Sequence, residues 1–311
     1  MPPEPKPGGE ARLALGAGIA CYLIWGFVPL YLQAIGRLGV GPWETLVHRI
    51  VWSVPTAALF VLLARQESQA LAVLRQPRTL AWLGLSSVLI AINWIVFIWA
   101  VNSGRMLESS LGYDINPLVN MAAGALIFRE RIARIGQVAI GLALIGVIIQ
   151  ALAIGHLPWV SLALAFSFGA YGVVRKRVAA DAQTGFLVET LLTGIPAVVF
   201  LAWLEARGGG HFLAEPVTAL WLIGSGPLTA VPLVLFAWAA RRMPLSAMGF
   251  LQFMAPTIGF VIGISQGEAF TPLRALSFVF IWGGAAVFIW GAWKATRRLP
   301  AADTMAPAEG R

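Results

Sequence analysis

The stretch Leu111-Gly112-Tyr113-Asp114-Ile115-Asn116-Pro117-Leu118-Val119-Asn120 sets an acid, two amides, a tyrosine and a proline inside an apolar run. Apolar sequence continues through Met121 to Phe128, so the segment Leu107 to Phe128 can cross a bilayer as a helix of about 20 residues. Its polar centre then lies in hydrocarbon. Pro117 donates no hydrogen bond and frees a carbonyl one turn earlier, and Asn116 and Asn120 supply amides close to the break expected there. At 100° per residue Ser109, Tyr113, Asn116 and Asn120 share a stripe about 60° wide, with Asp114 beside it. The uncharged members suit either a hydrogen-bonding seam between helices or the wall of a site. A carboxylate at that depth costs about 3 kcal/mol, which makes Asp114 a candidate site residue or ion-pair partner.

Of the 311 residues 59% are hydrophobic and 12% charged, against about 25% charged in ordinary soluble domains. The composition is that of an all-α polytopic membrane protein. A net charge of +8 does not imply nucleic acid, because the basic residues sit in short clusters between apolar runs and read as topology signals. The single Cys21 permits no intramolecular disulfide and offers no metal-ligand cluster, so neither metal nor cofactor is expected. Residues 1–12 and 294–311, rich in Pro, Gly or small residues, read as disordered tails. The apolar run after Arg12 lacks a small-x-small cleavage site, and the first helix is expected to target the chain itself.

Apolar runs bounded by charge, Pro or Gly predict ten spans, near 13–35, 43–63, 79–101, 107–128, 135–154, 157–174, 185–204, 217–240, 245–266 and 274–293. Assigned to alternate sides, 17 of the 22 Lys and Arg fall with the N-terminus and 4 opposite, with Arg49 inside span two. By the positive-inside rule both termini are cytoplasmic. The second half echoes the first. Tyr22, Trp25 and Gly26 match Phe168, Tyr171 and Gly172 at an offset of 146, and Glu44-Thr45-Leu46 matches Glu189-Thr190-Leu191 at 145. Phe97, Trp99 and Ala100 match Phe236, Trp238 and Ala239 at 139, as Pro117 matches Pro256, and Glu130 is answered by Glu268. Two five-helix repeats, 13–154 and 155–293, follow, and since five is odd they enter the membrane in opposite orientation. Inverted repeats let one plan build two gates around a central site.

Several motifs are similar to a known family: Trp25-Gly26; His48-Arg49-Ile50-Val51-Trp52-Ser53; Asn93-Trp94 with Phe97-Ile98-Trp99-Ala100-Val101-Asn102; and Leu107-Glu108-Ser109-Ser110-Leu111-Gly112-Tyr113 with Ile115-Asn116-Pro117-Leu118-Val119-Asn120. Tyr171-Gly172-Val173-Val174-Arg175-Lys176 followed by Gln183-Thr184-Gly185 completes the set. From about Leu13 to Trp293 the chain resembles the RarD group in the EamA branch of the drug/metabolite transporter superfamily. That resemblance implies ten helices in two EamA repeats, a bacterial inner-membrane location, and export of small metabolites or drugs, with chloramphenicol sensitivity as the historical label. Asp114 departs from the apolar or aromatic residue that the resemblance implies at its place.

Glu44 and His48 share a face of span two at i, i+4, whereas Arg49 points about 100° from His48 and lies about 10 Å deep at 1.5 Å per residue. Arg49 suits an ion pair with Asp114 or Glu108, a substrate anion, or a gating role. His48 suits a proton relay or a packing role. Trp94, Trp99, Tyr113, Trp238 and Phe250 could wall an aromatic cavity or serve as anchors; Asn93, Tyr171 and Gln252 complete the substrate or gating candidates, with Pro117 and Pro256 as hinges. Arg129, Arg131 and Arg134, and Arg175, Lys176 and Arg177, read as topology determinants; His156 and His211, in loops, carry no signal. Gly141 with Gly146, and Gly283 with Gly284, suit close helix packing.

No phosphate-binding Gly-x-x-x-x-Gly-Lys-Ser/Thr loop is present, which excludes direct ATP drive on sequence grounds. A secondary transporter of a small-molecule solute is expected, working by alternating access, with the proton as the candidate coupling ion and the bilayer as the other partner. A lipid or amphiphile flippase or facilitator is the alternative. An intramembrane enzyme using His48 with a carboxylate lacks a nucleophile with a positioned base.

Overall fold

Where the sequence is apolar and free of internal charge, the backbone has no polar partner in a bilayer except itself, and helix is the outcome. The computed structural model describes residues 7–103, 105–266 and 271–297, and among these every regular element is a helix. In order they are α1 (Pro7–Arg37), α2 (Pro42–Leu63), α3 (Glu67–Leu74), α4 (Pro77–Asn102), α5 (Met106–Ile127), α6 (Arg134–Ile154), α7 (Trp159–Arg177), α8 (Ala182–Ala206), α9 (Pro216–Ala240), α10 (Leu245–Gln252), α11 (Met254–Ser265) and α12 (Pro272–Arg297). Helix α1 thus starts at Pro7, ahead of the Leu13 expected from hydropathy, and α12 runs on to Arg297. Residues 298–311 of the C-terminal tail, and Glu268 of the repeat comparison, lie outside the described residues.

Among the described residues seven helical stretches are long and apolar enough to cross a membrane, and Ala275–Gly291 is a shorter apolar one. Helices α5 and α7 do not meet that standard for reasons visible in their sequences: α5 carries Glu108, Asp114, Asn116 and Asn120, and α7 ends on Arg175-Lys176-Arg177. The polar groups of α5, and Arg175 of the trio that ends α7, point into the protein, for Glu108, Asp114, Asn116, Asn120 and Arg175 are all buried. Large apolar side chains instead face outward, as Leu126 at 80% exposure shows, which is the arrangement a lipid solvent favours.

Two helices depart from expectation. Pro117 does not break α5, which runs continuously from Met106 to Ile127. Its match Pro256 does coincide with a break: the predicted span 245–266 divides at Phe253 into α10 and α11. A proline cannot bond the carbonyl four residues back, which here is Gln252, the last residue of α10. The short α3 lies in the stretch between two predicted spans.

Nine helices close a ring through neighbouring contacts, in the order α5, α7, α4, α8, α2, α9, α1, then α11 and α10, which return to α5. Helices α6 and α12 pack as an antiparallel pair beside it. A Cβ on Gly146 would lie 2.6 Å from the Ser277 carbonyl, and one on Gly284 2.6 Å from the Ala139 carbonyl, so these two glycines set the closeness of that pair. Gly141 and Gly283 meet nothing within 4 Å. Helices α2, α5, α7, α9 and α12 begin at one face of the bundle, the first face, and α4, α6, α8 and α10 at the opposite, second face.

Candidate functional site

Arg49 stands two turns inside α2 and points toward α9, α4 and α5. On α9, Thr229 Oγ1 donates to the Ser225 carbonyl at 2.8 Å, so its lone pairs are left to accept from Arg49 Nε at 3.0 Å. On α4, Trp94 lies under the guanidinium, 5.7 Å from its carbon to the ring centroid. On α5, Tyr113 sets its ring against Phe97 at 5.7 Å. Helix α9 can come this close to α2 because of Gly226, where a Cβ would lie 2.3 Å from the Trp52 carbonyl carbon. Ser53 Oγ sits at the same crossing, 2.6 Å from the Arg49 carbonyl and 3.2 Å from that of Gly226.

The acids expected to pair with Arg49 do not. Among the described residues no ion pair includes Arg49. Asp114 is buried at 1% exposure. Glu108 is held at the first face by Arg105 at 3.1 Å, with His156 Nε2 4.0 Å away, because i, i+3 spacing across the start of α5 makes Arg105 the nearer cation. Trp99 is also outside this site: its ring meets Trp159 at 5.2 Å and carries Arg105 at 5.3 Å, at the rim of the first face.

Glu44 and His48 share one face of α2 and both meet the α8–α9 loop. Glu44 accepts the His211 backbone N–H at 2.6 Å and lies 2.8 Å from His211 Nδ1. His48 stacks on Phe212 with centroids 5.0 Å apart, fully buried, and neither of its ring nitrogens has a hydrogen-bond partner. His211, given no role on sequence grounds, therefore ties the loop to α2. Its spacing from Glu44 along the chain is 167 residues, too long for any local pattern to reveal.

The stripe on α5 divides between seam and site. Asn120 donates to Gln252 Oε1 at 2.6 Å, joining α5 to α10. Gly249 permits that approach, since a Cβ there would lie 2.6 Å from the Pro117 carbonyl. Asn116 is buried with its Oδ1 unpartnered. Asn93 belongs to a seam between α4 and α7, donating to the Leu164 carbonyl at 2.9 Å and to Ser167 at 3.0 Å.

Toward the second face the interior becomes aromatic. Tyr22 and Trp25 of α1 meet Phe168 and Tyr171 of α7 around Phe236 of α9, with Trp25 5.6 Å from Phe168 and Phe236 6.0 Å from Tyr171. Below them Arg175 is fully enclosed, which sets it apart from the topology signal it resembled. Its Nη1 lies 3.4 Å from Glu189 and its Nη2 donates to the Ala182 carbonyl at 3.0 Å. Ser86 and Tyr171 also donate to Glu189. Gly185 makes the space: a Cβ there would fall 2.1 Å from Arg175 Nη1.

At the rim of the second face, Glu130 joins α5 to α10. It accepts the Leu245 and Ser246 backbone N–H groups at 2.8 and 3.0 Å, the Ser246 hydroxyl at 2.7 Å, and Lys176 at 3.0 Å. Burial alone would push its carboxyl up, but the Ser246, Leu245 and Lys176 donors outweigh burial and hold it below the usual carboxylate range. Asp181 plays a similar part, taking Arg241 at 3.1 Å and both Gln66 and Gln69 at 3.2 Å.

Residues 12–152 match the EamA-like transporter family. The protein RarD of Streptomyces exfoliatus is 39% identical, over 94% of this chain and 93% of its own. An uncharacterized transporter of Pseudomonas aeruginosa is 41% identical over 91% of this chain and 95% of its own, and the protein RarD of Escherichia coli 38% over 93% and 98%. A crystal structure of a protein 20% identical superposes with a TM-score of 0.66, covering 91% of this chain and 98% of that chain, and so shares the fold. With apolar helices, buried polar groups and relatives that match it nearly end to end, the chain is a multi-pass bacterial membrane protein that belongs to the EamA-like transporter family, among the RarD proteins.

Proposed function

We propose that the protein is a secondary transporter that exports small organic solutes by alternating access. It works with ten spans, α10 and α11 forming one of them, and with both termini in the cytoplasm of a bacterial inner membrane. The observation that carries this is the placement of two buried acidic contacts at opposite ends of one helix pair. Glu44 on α2 holds the first face through His211, and Glu189 on α8, its match in the second half, holds the second face through Arg175. Between them lies the Arg49 site.

The packing supports an inverted repeat. Exchanging α1 with α7, α2 with α8, α4 with α9, and α5 with α10 and α11 carries the ring of neighbours onto itself. Rim contacts follow the same exchange: Arg105 lies 5.3 Å from Trp99 at one face and Arg242 4.1 Å from Trp238 at the other. Two related gates on either side of one site are what rocking between two states requires. The coupling ion is the proton, with Glu44, His48, Asp114 and Glu189 as buried titratable groups on or near the path.

Purified protein in liposomes should show saturable flux that an internal solute load accelerates by counter-transport. A flippase would move labelled lipid instead, a pore would pass solute without saturation, and an enzyme would release product; any of these results rejects the carrier. An imposed pH gradient should drive concentrative uptake, and uptake unchanged after the gradient is collapsed rejects the proton.

A further inference from the structure

We infer that Arg49 is a recognition site for a carboxylate, so that the solute class is an organic monocarboxylate with a flat apolar body; this rests on the carrier reading above. The guanidinium of Arg49 is only partly satisfied within the protein. It has five N–H donors, and the structure uses one, Nε to Thr229. Thr229 is neutral, its own proton is committed to Ser225, and so it orients the arginine without compensating the charge. No hydrogen bond or ion pair among the described residues takes Nη1 or Nη2. These two nitrogens form the fork that matches a carboxylate bidentately.

A cation left this way inside a membrane helix bundle is costly unless something anionic visits it. The contrast with Arg175 makes the point within the same molecule, since that buried arginine has a carboxylate of its own at 3.4 Å. Aromatic rings stand close to Arg49. Trp94 lies under the guanidinium, 5.7 Å from its carbon to the ring centroid, and Tyr113 of α5 sets its ring against Phe97. Arg49, Trp94, Tyr113 and Phe97 are each only partly buried, and Asn116, one turn along α5 from Tyr113, keeps a buried Oδ1 without a hydrogen-bond partner. A carboxylate on the fork would place an attached ring or alkyl body along Trp94 and Phe97.

The test is binding to detergent-purified protein, followed by intrinsic tryptophan fluorescence, with benzoate, 3-phenylpropanoate and indole-3-acetate against their primary amides. At least one carboxylate should bind 10-fold or more tightly than its amide. Arg49→Gln should abolish that preference, and Arg49→Lys, which keeps the charge but not the fork, should reduce it several-fold. Thr229→Val, which removes the support of Nε together with the hydroxyl's own bond to the Ser225 carbonyl, should weaken carboxylate and leave amide unchanged, and it remains informative if Arg49 variants fail to fold. Equal binding of acids and amides across the series, no binding of any carboxylate, or a preference unaltered in folded Arg49→Lys and Thr229→Val overturns the proposal. So does displacement of the carboxylates by phosphatidylglycerol micelles but not by dodecanoate, which would assign the fork to a lipid headgroup. Because binding is read without transport, saturable flux lacking carboxylate preference rejects this site and leaves the carrier standing, whereas carboxylate binding without saturable flux does the reverse.

Discussion

At the scale of single residues, arginine best separates what local sequence can say from what the fold decides. Arg175 sits in a basic trio at the end of a helix, and the positive-inside rule reads such a trio as a surface feature. The structure shows full enclosure against Glu189, made possible by Gly185. Local pattern could not show this, because the space for the guanidinium comes from a missing side chain on another helix. Arg49, by contrast, was legible as an intramembrane cation from its place in an apolar run, yet its partners were not: Thr229 is 180 residues away and neutral. Replacing Gly185 by Ala puts a Cβ 2.1 Å from a fully buried Arg175 nitrogen that has nowhere to retreat. It should destabilise the protein by about 1–3 kcal/mol, the usual cost of overpacking. Adding Arg175→Met to Gly185→Ala should cost less than the two changes separately, since the clash disappears with the guanidinium. Unfolding of the four proteins in one detergent, compared as a double-mutant cycle, measures the coupling, and strict additivity would show that Gly185 does not make room for Arg175.

Hydropathy places most helices with boundaries close to those observed, because a 20-residue apolar run in a bilayer has few alternatives to helix. What hydropathy could not separate was the behaviour of two matched prolines. Pro117 leaves α5 intact, with its own carbonyl packed against Gly249, whereas Pro256 falls where α10 gives way to α11. Nor could it show that α10 is anchored at its start by Glu130, which satisfies two backbone N–H groups of that helix from a loop more than a hundred residues earlier. That anchor has a pH signature. Glu130 is held below its ordinary value in the folded protein, so its contribution is present above the unfolded carboxylate value of about 4.3 and is lost as pH falls through the lower folded one. Wild type should therefore be more stable than Glu130→Gln at pH 7, with the difference shrinking below about pH 4. Melting temperatures of both proteins across pH 3.5 to 7 test this, and a constant difference over that range would remove the ionised anchor.

For the whole molecule, the internal matches at offsets of 146, 145 and 139 were visible in the sequence because they preserve side-chain type. The relation between their contacts was not, since Glu44 uses a histidine and Glu189 an arginine. If these two contacts hold alternative closures of one path, weakening either shifts a single equilibrium, in opposite directions. A loss of about 1.4 kcal/mol in one closure moves the population ratio about tenfold. The shift can be read with a cysteine at Asn116 in a Cys21→Ser background, in which serine still donates to the Pro232 carbonyl that Cys21 approaches at 3.1 Å. With a membrane-impermeant maleimide supplied at the first face of sealed vesicles, Glu44→Gln should raise labelling of Asn116→Cys several-fold, because the tie to His211 is weakened and that face opens. Glu189→Gln should lower it, because weakening the contact with Arg175 favours the state open at the second face. A pore responds differently: loosening either end raises access from both sides. Opposite signs for the two variants therefore support alternating access, and increases in both would reject it.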